Sequence, residues 1–269
     1  MTTPQVKDGR LTGLVITGAA IVGLTIIFYA IGLPATPQIV GVLNTLFALA
    51  GGLLAAGLWN SFERGELLKA IWGLLSLGML LWAIGEGIWT FFLFTSTEVP
   101  YPSVADVSWV LGYIPLFVAL YLRYRSLGRG PSSVRLGITI GLFAMIAALA
   151  LIFIIWPIVT YPDYSDPFEQ ALDVIYPMGD LLVALGALLS VQALSGGALA
   201  KPWALIGIGF LINAVSDLLF VYASWHDIYL VNLESGAGLM TAIVEASYMI
   251  SYLIVACGIY MQARLHRIM

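Results

Sequence analysis

The sequence predicts an all-α, polytopic membrane protein of eight transmembrane helices, with both termini on the cytoplasmic side. Three observations carry that fold class. The 269-residue chain is 61% apolar and only 10% charged, with a mean hydropathy of +0.98, whereas soluble domains carry about 25% charged residues. It divides into eight apolar stretches, each about 20 residues or longer, enough to cross a hydrocarbon core of roughly 30 Å. All eleven Lys and Arg residues fall at every second gap between those stretches or at the two ends. Short loops rich in Lys and Arg stay in the cytoplasm.

The first span, 12–32, follows Lys7 and Arg10. It lacks a small-residue cleavage site after a short apolar core, so it is expected to be retained rather than removed as a signal peptide. Gly32, Leu33 and Pro34 turn the chain into the second span, 37–60, and Arg64 and Lys69 flank the gap before the third, 67–94. The next gap holds Glu98 and no base, and Pro100, Tyr101 and Pro102 lead into the fourth span, 103–125. Arg123, Arg125, Arg129 and Arg135 surround the gap before the fifth, 135–157. Asp163, Asp166 and Glu169 mark the acidic gap around the start of the sixth, 168–194. Lys201 precedes the seventh, 202–224, and Asp227 and Glu234 precede the eighth, 236–262. Arg264 and Arg267 close the pattern. Short connections make consecutive helices antiparallel neighbours, so residues 1–269 read as one transmembrane bundle domain.

The chain repeats itself. Asp106-Val-Ser-Trp109-Val-Leu-Gly112-Tyr113 aligns with Asp173-Val-Ile-Tyr176-Pro-Met-Gly179-Asp180, and Glu245-Ala-Ser-Tyr248-Met-Ile-Ser251-Tyr252 is a weaker third copy. The copies begin spans four, six and eight from the outer side. Trp72 through Glu86 to Trp89 aligns with Trp203 through Asp217 to Phe220 on spans three and seven. The expectation is tandem helical hairpins in one orientation, a parallel repeat rather than an inverted one.

Apart from Glu169 at the edge of the sixth span, six acids lie inside the spans: Glu86, Asp106, Asp173, Asp180, Asp217 and Glu245. The bases within the span bounds, Lys69, Arg123, Arg125 and Arg135, all stand at the opposite, inner ends, so none is placed to pair with them. A central Asp costs about 2.5–3.5 kcal/mol on insertion scales, so proton uptake, hydrogen bonds, a bound cation or water access must offset that cost. By the predicted orientation all six belong to the outer half of the membrane or near its middle, which points to a cavity open outward and closed below. Helical spacing places Asp173, Tyr176 and Asp180 on one face, and likewise Asp106, Trp109 and Tyr113. Glu245, Tyr248 and Tyr252 share a face, as do Trp82, Glu86 and Trp89, while Asn213 stands one turn from Asp217. Pro115 and Pro177 interrupt their helices near these groups, each freeing a carbonyl. These fourteen residues form the candidate ligand site: carboxylates for charge, and Trp and Tyr faces for cation–π contact worth about 0.5–2 kcal/mol each. The alternative is plain helix-to-helix hydrogen bonding at about 0.6 kcal/mol per bond, or, for Asp106 and Asp173, simple wetting near the surface.

Much chemistry is disfavoured. His226 and His266 are the only histidines, which argues against buried haem or chlorophyll and against zinc hydrolysis or a Ser-His-Asp triad. Lys7, Lys69 and Lys201 all lie at the inner boundary, so no retinal Schiff base can form within the bundle. Nucleotide loops are absent, and no basic cluster beyond the inside bias suggests nucleic acid. The lone Cys257 cannot form an internal disulfide and reads as apolar packing. Two facing acids of an aspartyl intramembrane protease would need motifs of which Met178-Gly179-Asp180 is a faint echo. Calcium on outer-side carboxylates stays open. Neither a catalytic role nor a cofactor or resident metal is expected.

The run Pro102-Ser-Val-Ala-Asp106-Val-Ser-Trp-Val-Leu-Gly112-Tyr113-Ile-Pro115 resembles a stretch in the multi-pass N-terminal sensor regions of bacterial diguanylate cyclases and histidine kinases. Ala171-Leu-Asp173-Val-Ile-Tyr176-Pro177-Met-Gly-Asp180 is similar to a second stretch there. The resemblance covers residues 66–262 and implies a sensing role for Asp106, Tyr113, Asp173, Tyr176 and Asp180. The sequence ends a few residues after span eight with no cyclase or kinase domain, so a sensor of this kind is expected to signal through a partner membrane or signalling protein. The expected function is therefore an inner-membrane sensory protein of a bacterium or archaeon, in contact with membrane lipids. It would bind a small ligand from outside, an organic cation being the class the site suits. A proton- or cation-coupled transporter is the alternative, and a non-catalytic or lipid-binding subunit of a larger membrane complex the third.

Overall fold

The computed structural model describes residues 9–95, 100–126, 132–161, 166–193, 200–229, 231–232 and 236–266. Eight helices are long and apolar enough to cross a membrane. They are α1 (Gly9–Ala30), α2 (Thr36–Ser61), α3 (Leu67–Thr95) and α4 (Val104–Ser126), then α5 (Ser133–Thr160), α6 (Pro167–Ala193), α7 (Ala200–Trp225) and α8 (Leu239–Leu265). Each falls within three residues of the span expected from apolarity alone. Between α7 and α8, β1 (Val231–Asn232) pairs antiparallel with β2 (Gly236–Ala237). Among the charge markers of the sequence, Lys7, Glu98, Arg129, Asp163, Glu234 and Arg267 lie outside the described residues.

Local chemistry sets the helix ends. The N-terminus of α4 is a reciprocal cap. The Ala105 N–H donates to Ser103 Oγ at 3.2 Å, and the Ser103 N–H donates to Asp106 Oδ2 at 2.5 Å, satisfying two donors that the helix leaves open. At the other end of the bundle the Lys69 ammonium donates to the Trp59 and Phe62 carbonyls at 3.0 and 2.6 Å, which closes the C-terminus of α2. Gly32, at φ +66°, makes the turn out of α1, a conformation that costs a residue without Cβ little. In α5 a π-helical turn, Leu151–Ile155, stands just before Pro157. Proline has no N–H and its ring crowds the preceding turn, and the wider turn takes up that misfit. Pro115 and Pro177 lie inside continuous helices, so the expected interruptions are absorbed without breaking α4 or α6.

Six helices form a closed ring: α2 packs on α3, α3 on α4, α4 on α6, α6 on α7, α7 on α8, and α8 back on α2. Helices α1 and α5 stand outside it, α1 chiefly against α8 and α5 against α6. They are the least buried of the eight. Each three-helix arc of the ring is thus preceded by one peripheral helix. The close approaches recur in both halves. A Cβ on Gly78 would stand 3.1 Å from the Gly112 carbonyl where α3 crosses α4, and one on Gly209 would stand 3.0 Å from the Ser251 carbonyl where α7 crosses α8. Small residues let helix backbones approach this closely. Gly78 aligns with Gly209, and Gly112 with Ser251, in the sequence repeat. The aligned tryptophans Trp72 and Trp203 meet with ring centroids 5.0 Å apart, as residues beside a shared axis would.

One end of the bundle gathers the described bases. Near it the fully buried Trp72, Trp203, Phe210, Met79, Leu116 and Ile206 fill the ring interior, and the Arg123 guanidinium lies 4.6 Å over the Trp203 ring. This is a dry plug. The other end is where the carboxylates lie.

Candidate functional site

At the acidic end the ring encloses a cavity with about 80 Å³ of room for the centres of water-sized molecules. One water needs about 10–15 Å³ by a comparable measure, so the space suits several waters or a small organic molecule. A wider outer hollow, about 420 Å³ on the same basis, lies beside it and shares Trp89, Tyr101, Tyr176, Phe220, Val221 and Tyr229 with it. Those shared residues border both spaces.

Four carboxylates face the inner cavity: Glu86 from α3, Asp106 from α4, Asp217 from α7 and Glu245 from α8. Among its described lining residues there is no Lys, Arg or His. Trp82, Trp89, Trp109, Tyr113, Tyr176, Asn213, Tyr248 and Tyr252 complete the predicted part of the wall. Twelve of the fourteen candidate residues therefore converge on one space. The other two do not line it. Asp173 opens into the outer hollow beside Glu169. Asp180 lines neither hollow and is 1% exposed. Asp173, Tyr176 and Asp180 stand on one continuous helix at different depths. Seven residues advance a helix by about 10 Å, enough to carry the face from the outer hollow, past the cavity, into the packed interior.

Each of the six acids accepts a hydrogen bond from a tyrosine hydroxyl. Tyr252 donates to Glu86 Oε1 at 2.8 Å, Tyr176 to Asp106 Oδ1 at 2.5 Å and Tyr113 to Asp180 Oδ1 at 2.8 Å. Tyr248 donates to Asp217 Oδ1 at 2.6 Å, Tyr229 to Glu245 Oε1 at 2.6 Å, and Tyr101 to Asp173 Oδ1. Amides add to two of them: Asn213 Nδ2 donates to Asp217 Oδ2 at 2.8 Å and Asn44 Nδ2 to Glu245 Oε2 at 3.2 Å. The Ser251 hydroxyl fixes the orientation of Asn213 by donating to its Oδ1 at 2.9 Å. Tyrosine is a neutral donor, so these bonds satisfy oxygens without cancelling charge.

Asp180 and Asp217 are also in side-chain hydrogen-bonding contact with each other. Asp106 is 3% exposed, so wetting does not account for it; the reciprocal cap and Tyr176 do. In the loop, withdrawal from water and the Glu245 carboxylate together hold the Tyr229 hydroxyl well above the ordinary tyrosine range. Tyr229 thus remains a donor toward Glu245.

The aromatic wall is built edge to face. Trp82 meets Tyr113 at 5.6 Å and Tyr252 at 6.3 Å between ring centroids, and its indole N–H donates to the Trp109 carbonyl at 3.1 Å. Trp89 and Trp109 stand 6.0 Å apart. Several residues of the wall escaped the sequence reading. Tyr29 and Asn44 come from α1 and α2, Tyr101 and Tyr229 from connecting segments, and Phe220 from α7. Asn44 carried a usable signal, as an amide within an otherwise apolar helix. The loop tyrosines carried none.

Among the described residues no group of three or more His, Cys, Asp or Glu is arranged to hold a metal ion. Comparison with known proteins finds no match for the chain, either among family models or among curated proteins and solved structures.

Proposed function

We propose that the protein is a membrane receptor that takes a small organic cation from the outer side into the acidic cavity and passes the bound state to a partner chain. One observation carries the proposal: Glu86, Asp217 and Glu245, from three different helices, converge with Asp106 on one aromatic-walled cavity without a base among the described lining residues. Buried carboxylates held only by neutral donors keep a net negative field in a low-dielectric space, where attraction for a cation is strongest. Trp and Tyr faces add cation–π attraction that a hydrated metal ion would not use. The outward direction rests on the distribution of Lys and Arg. The resemblance to multi-pass sensor regions favours a sensory role and a separate output partner.

A thermal-shift screen in detergent, with quaternary ammonium ions, mono- and diamines, divalent metals and pH as variables, tests this. Quaternary ammonium ions and amines should raise the melting temperature of the wild type and leave Asp217→Asn unmoved. A screen in which no cation shifts the wild type would end the proposal.

A second reading has its own support. Two four-helix halves in one orientation, with a cavity at their junction, match the plan of parallel-repeat transporters. Transport would require the Trp72–Trp203 plug to open. Uptake of a bound cation into liposomes under a pH gradient separates the two, since a receptor binds without accumulating.

A further inference from the structure

Asp217 and Asp180 divide their roles by position. Asp217 faces the cavity and gathers donors: Tyr248 on Oδ1 and Asn213 on Oδ2. Asp180 lies behind it on α6 and receives one donor, Tyr113, on Oδ1. Its second oxygen, Oδ2, is enclosed and accepts from no described N–H or O–H, yet the side chain is in hydrogen-bonding contact with Asp217. Two ionised carboxylates are both acceptors, so such a contact has no donor. A carboxyl proton supplies one. Paired acids in contact share a proton because like charges so close cannot both ionise.

The groups around the pair offer no other remedy. They are Tyr113 on α4, Tyr248, Tyr252 and Glu245 on α8, Glu86 on α3 and Tyr176 on α6. All are neutral donors or further acids.

We infer that Asp180 carries a proton which it donates through Oδ2 to the Asp217 carboxylate, and that a cation entering the cavity at Asp217 displaces that proton. In the displacement the Asp180 O–H bond breaks, the proton passes by way of Asp217 to cavity water, and the cation takes its place against Asp217, where its charge offsets that of the second carboxylate. One positive charge leaves as one arrives. This rests on the reading of the cavity as a cation site and adds that the site exchanges its ligand for a proton. Asp180, which lines neither hollow, is then a positioning and proton-holding residue rather than a contact residue.

The sign follows directly. Proton and cation compete for Asp217, so cation affinity rises with pH where the pair is protonated, approaching about tenfold per pH unit for one proton exchanged. Tetramethylammonium is the probe, since it carries no proton of its own. Proton release is followed with an indicator dye in weakly buffered detergent, and the carboxyl C=O stretch by infrared difference spectroscopy in D2O. The wild type should show a protonated-carboxyl band at neutral pH that the probe removes, with up to one proton released per cation bound. Asp180→Asn keeps a donor toward Asp217 without the proton, so it should bind the probe with no release and with a flat pH dependence. Tyr113→Phe should shift the band without abolishing it, which keeps the test alive should Asp180→Asn fold poorly.

A wild type without such a band at neutral pH overturns the shared proton, whatever binds. A band that survives probe binding, with no proton released, overturns the exchange and leaves the cation site standing. Failure of the probe to bind the wild type ends the cation reading and the exchange together.

Discussion

Glu86→Gln is the substitution that best separates a binding site from ordinary helix packing. Glu86 is 8% exposed, and its Oε1 accepts from Tyr252 at 2.8 Å. Glutamine keeps an acceptor for that bond and nearly the same volume, so only the charge is lost. An acid used to tie helices together would give up a charge-assisted bond, and the variant would lose about 0.6–1.7 kcal/mol. An acid kept for a ligand is a burden to the empty protein. A central intramembrane carboxylate costs about 2.5–3.5 kcal/mol on insertion scales. Cavity water and Tyr252 offset part of it, which leaves a gain of about 1–2 kcal/mol for the glutamine variant. Each kcal/mol moves a melting temperature by roughly 2–4 °C in chains somewhat shorter than this one. The comparison is made at pH 9, above the ordinary carboxyl range, so that the wild-type residue is ionised. Glu86→Gln should melt a few degrees higher than wild type while its affinity for tetramethylammonium falls about 30-fold or more, since removing one partner of a buried charge pair costs about 2 kcal/mol or more. A variant that melts lower and binds as the wild type does would show that Glu86 is packing, and the argument from unpaired acids would fail at its strongest residue.

Three further outcomes are expected. Gly258→Ala should destabilise by about 1–3 kcal/mol, because its Cβ would stand 2.7 Å from the Pro202 carbonyl and 3.0 Å from the Ile206 nitrogen, backbone atoms that move only if α7 and α8 part. Gly141→Ala, whose Cβ meets nothing within 4 Å, should be neutral or gain up to about 1 kcal/mol of helix propensity; thermal melts in detergent compare the two. Trp203→Ala should cost about 3–5 kcal/mol yet change cation affinity only a few-fold, since it belongs to the plug and not to the cavity, as melts and equilibrium binding would show. In a Cys257→Ser background, His226→Cys should react with an impermeant thiol reagent on intact cells, and Glu66→Cys only after permeabilisation; the reverse pattern would invert the topology.

The spans were legible because apolar length and the alternation of bases are one-dimensional signals. The arrangement of the helices was not. Spans α1 and α5 read like the others in sequence, being apolar all round, and only their packing reveals them as peripheral. The repeat was read as tandem hairpins, with α6 as one more copy of α4. In the bundle α3 and α4 do match α7 and α8, as the paired crossings at Gly78 and Gly209 show. Helix α6, however, occupies the ring position of α2, so the repeating unit is four helices rather than two. The motif shared by α4 and α6 reflects a common demand, an acid and an aromatic near the acidic end, more than a common place. Within the site, periodicity brought Glu86, Trp82 and Trp89 together correctly, since one helix fixes their relation. It could not foresee Tyr101 or Tyr229, whose positions depend on connecting segments, nor the contact of Asp180 with Asp217, which depends on how α6 meets α7.

The two halves also explain why Asp180 is the unusual residue. Asn44 on α2 donates to Glu245 on α8, and Tyr176 on α6 donates to Asp106 on α4. Glu245 and Asp106 are aligned in the repeat, so Asn44 and Tyr176 are structural counterparts, and one turn further along Ala48 is the counterpart of Asp180. Tyr252 and Tyr113 are likewise aligned, as are Glu86 and Asp217. In one half Tyr252 reaches Glu86 directly, and the counterpart position holds the small, fully buried Ala48. In the other half Tyr113 spends its hydroxyl on Asp180, and Asp180 turns to Asp217. A symmetric design would have needed only an alanine at 180. The extra acid contacts no cavity and ties α6 to α4 only through Tyr113, a bond that a neutral acceptor would make at less cost. The inferred role of proton-holding partner for Asp217 would account for it, and would confine pH sensitivity to one side of an otherwise two-fold site.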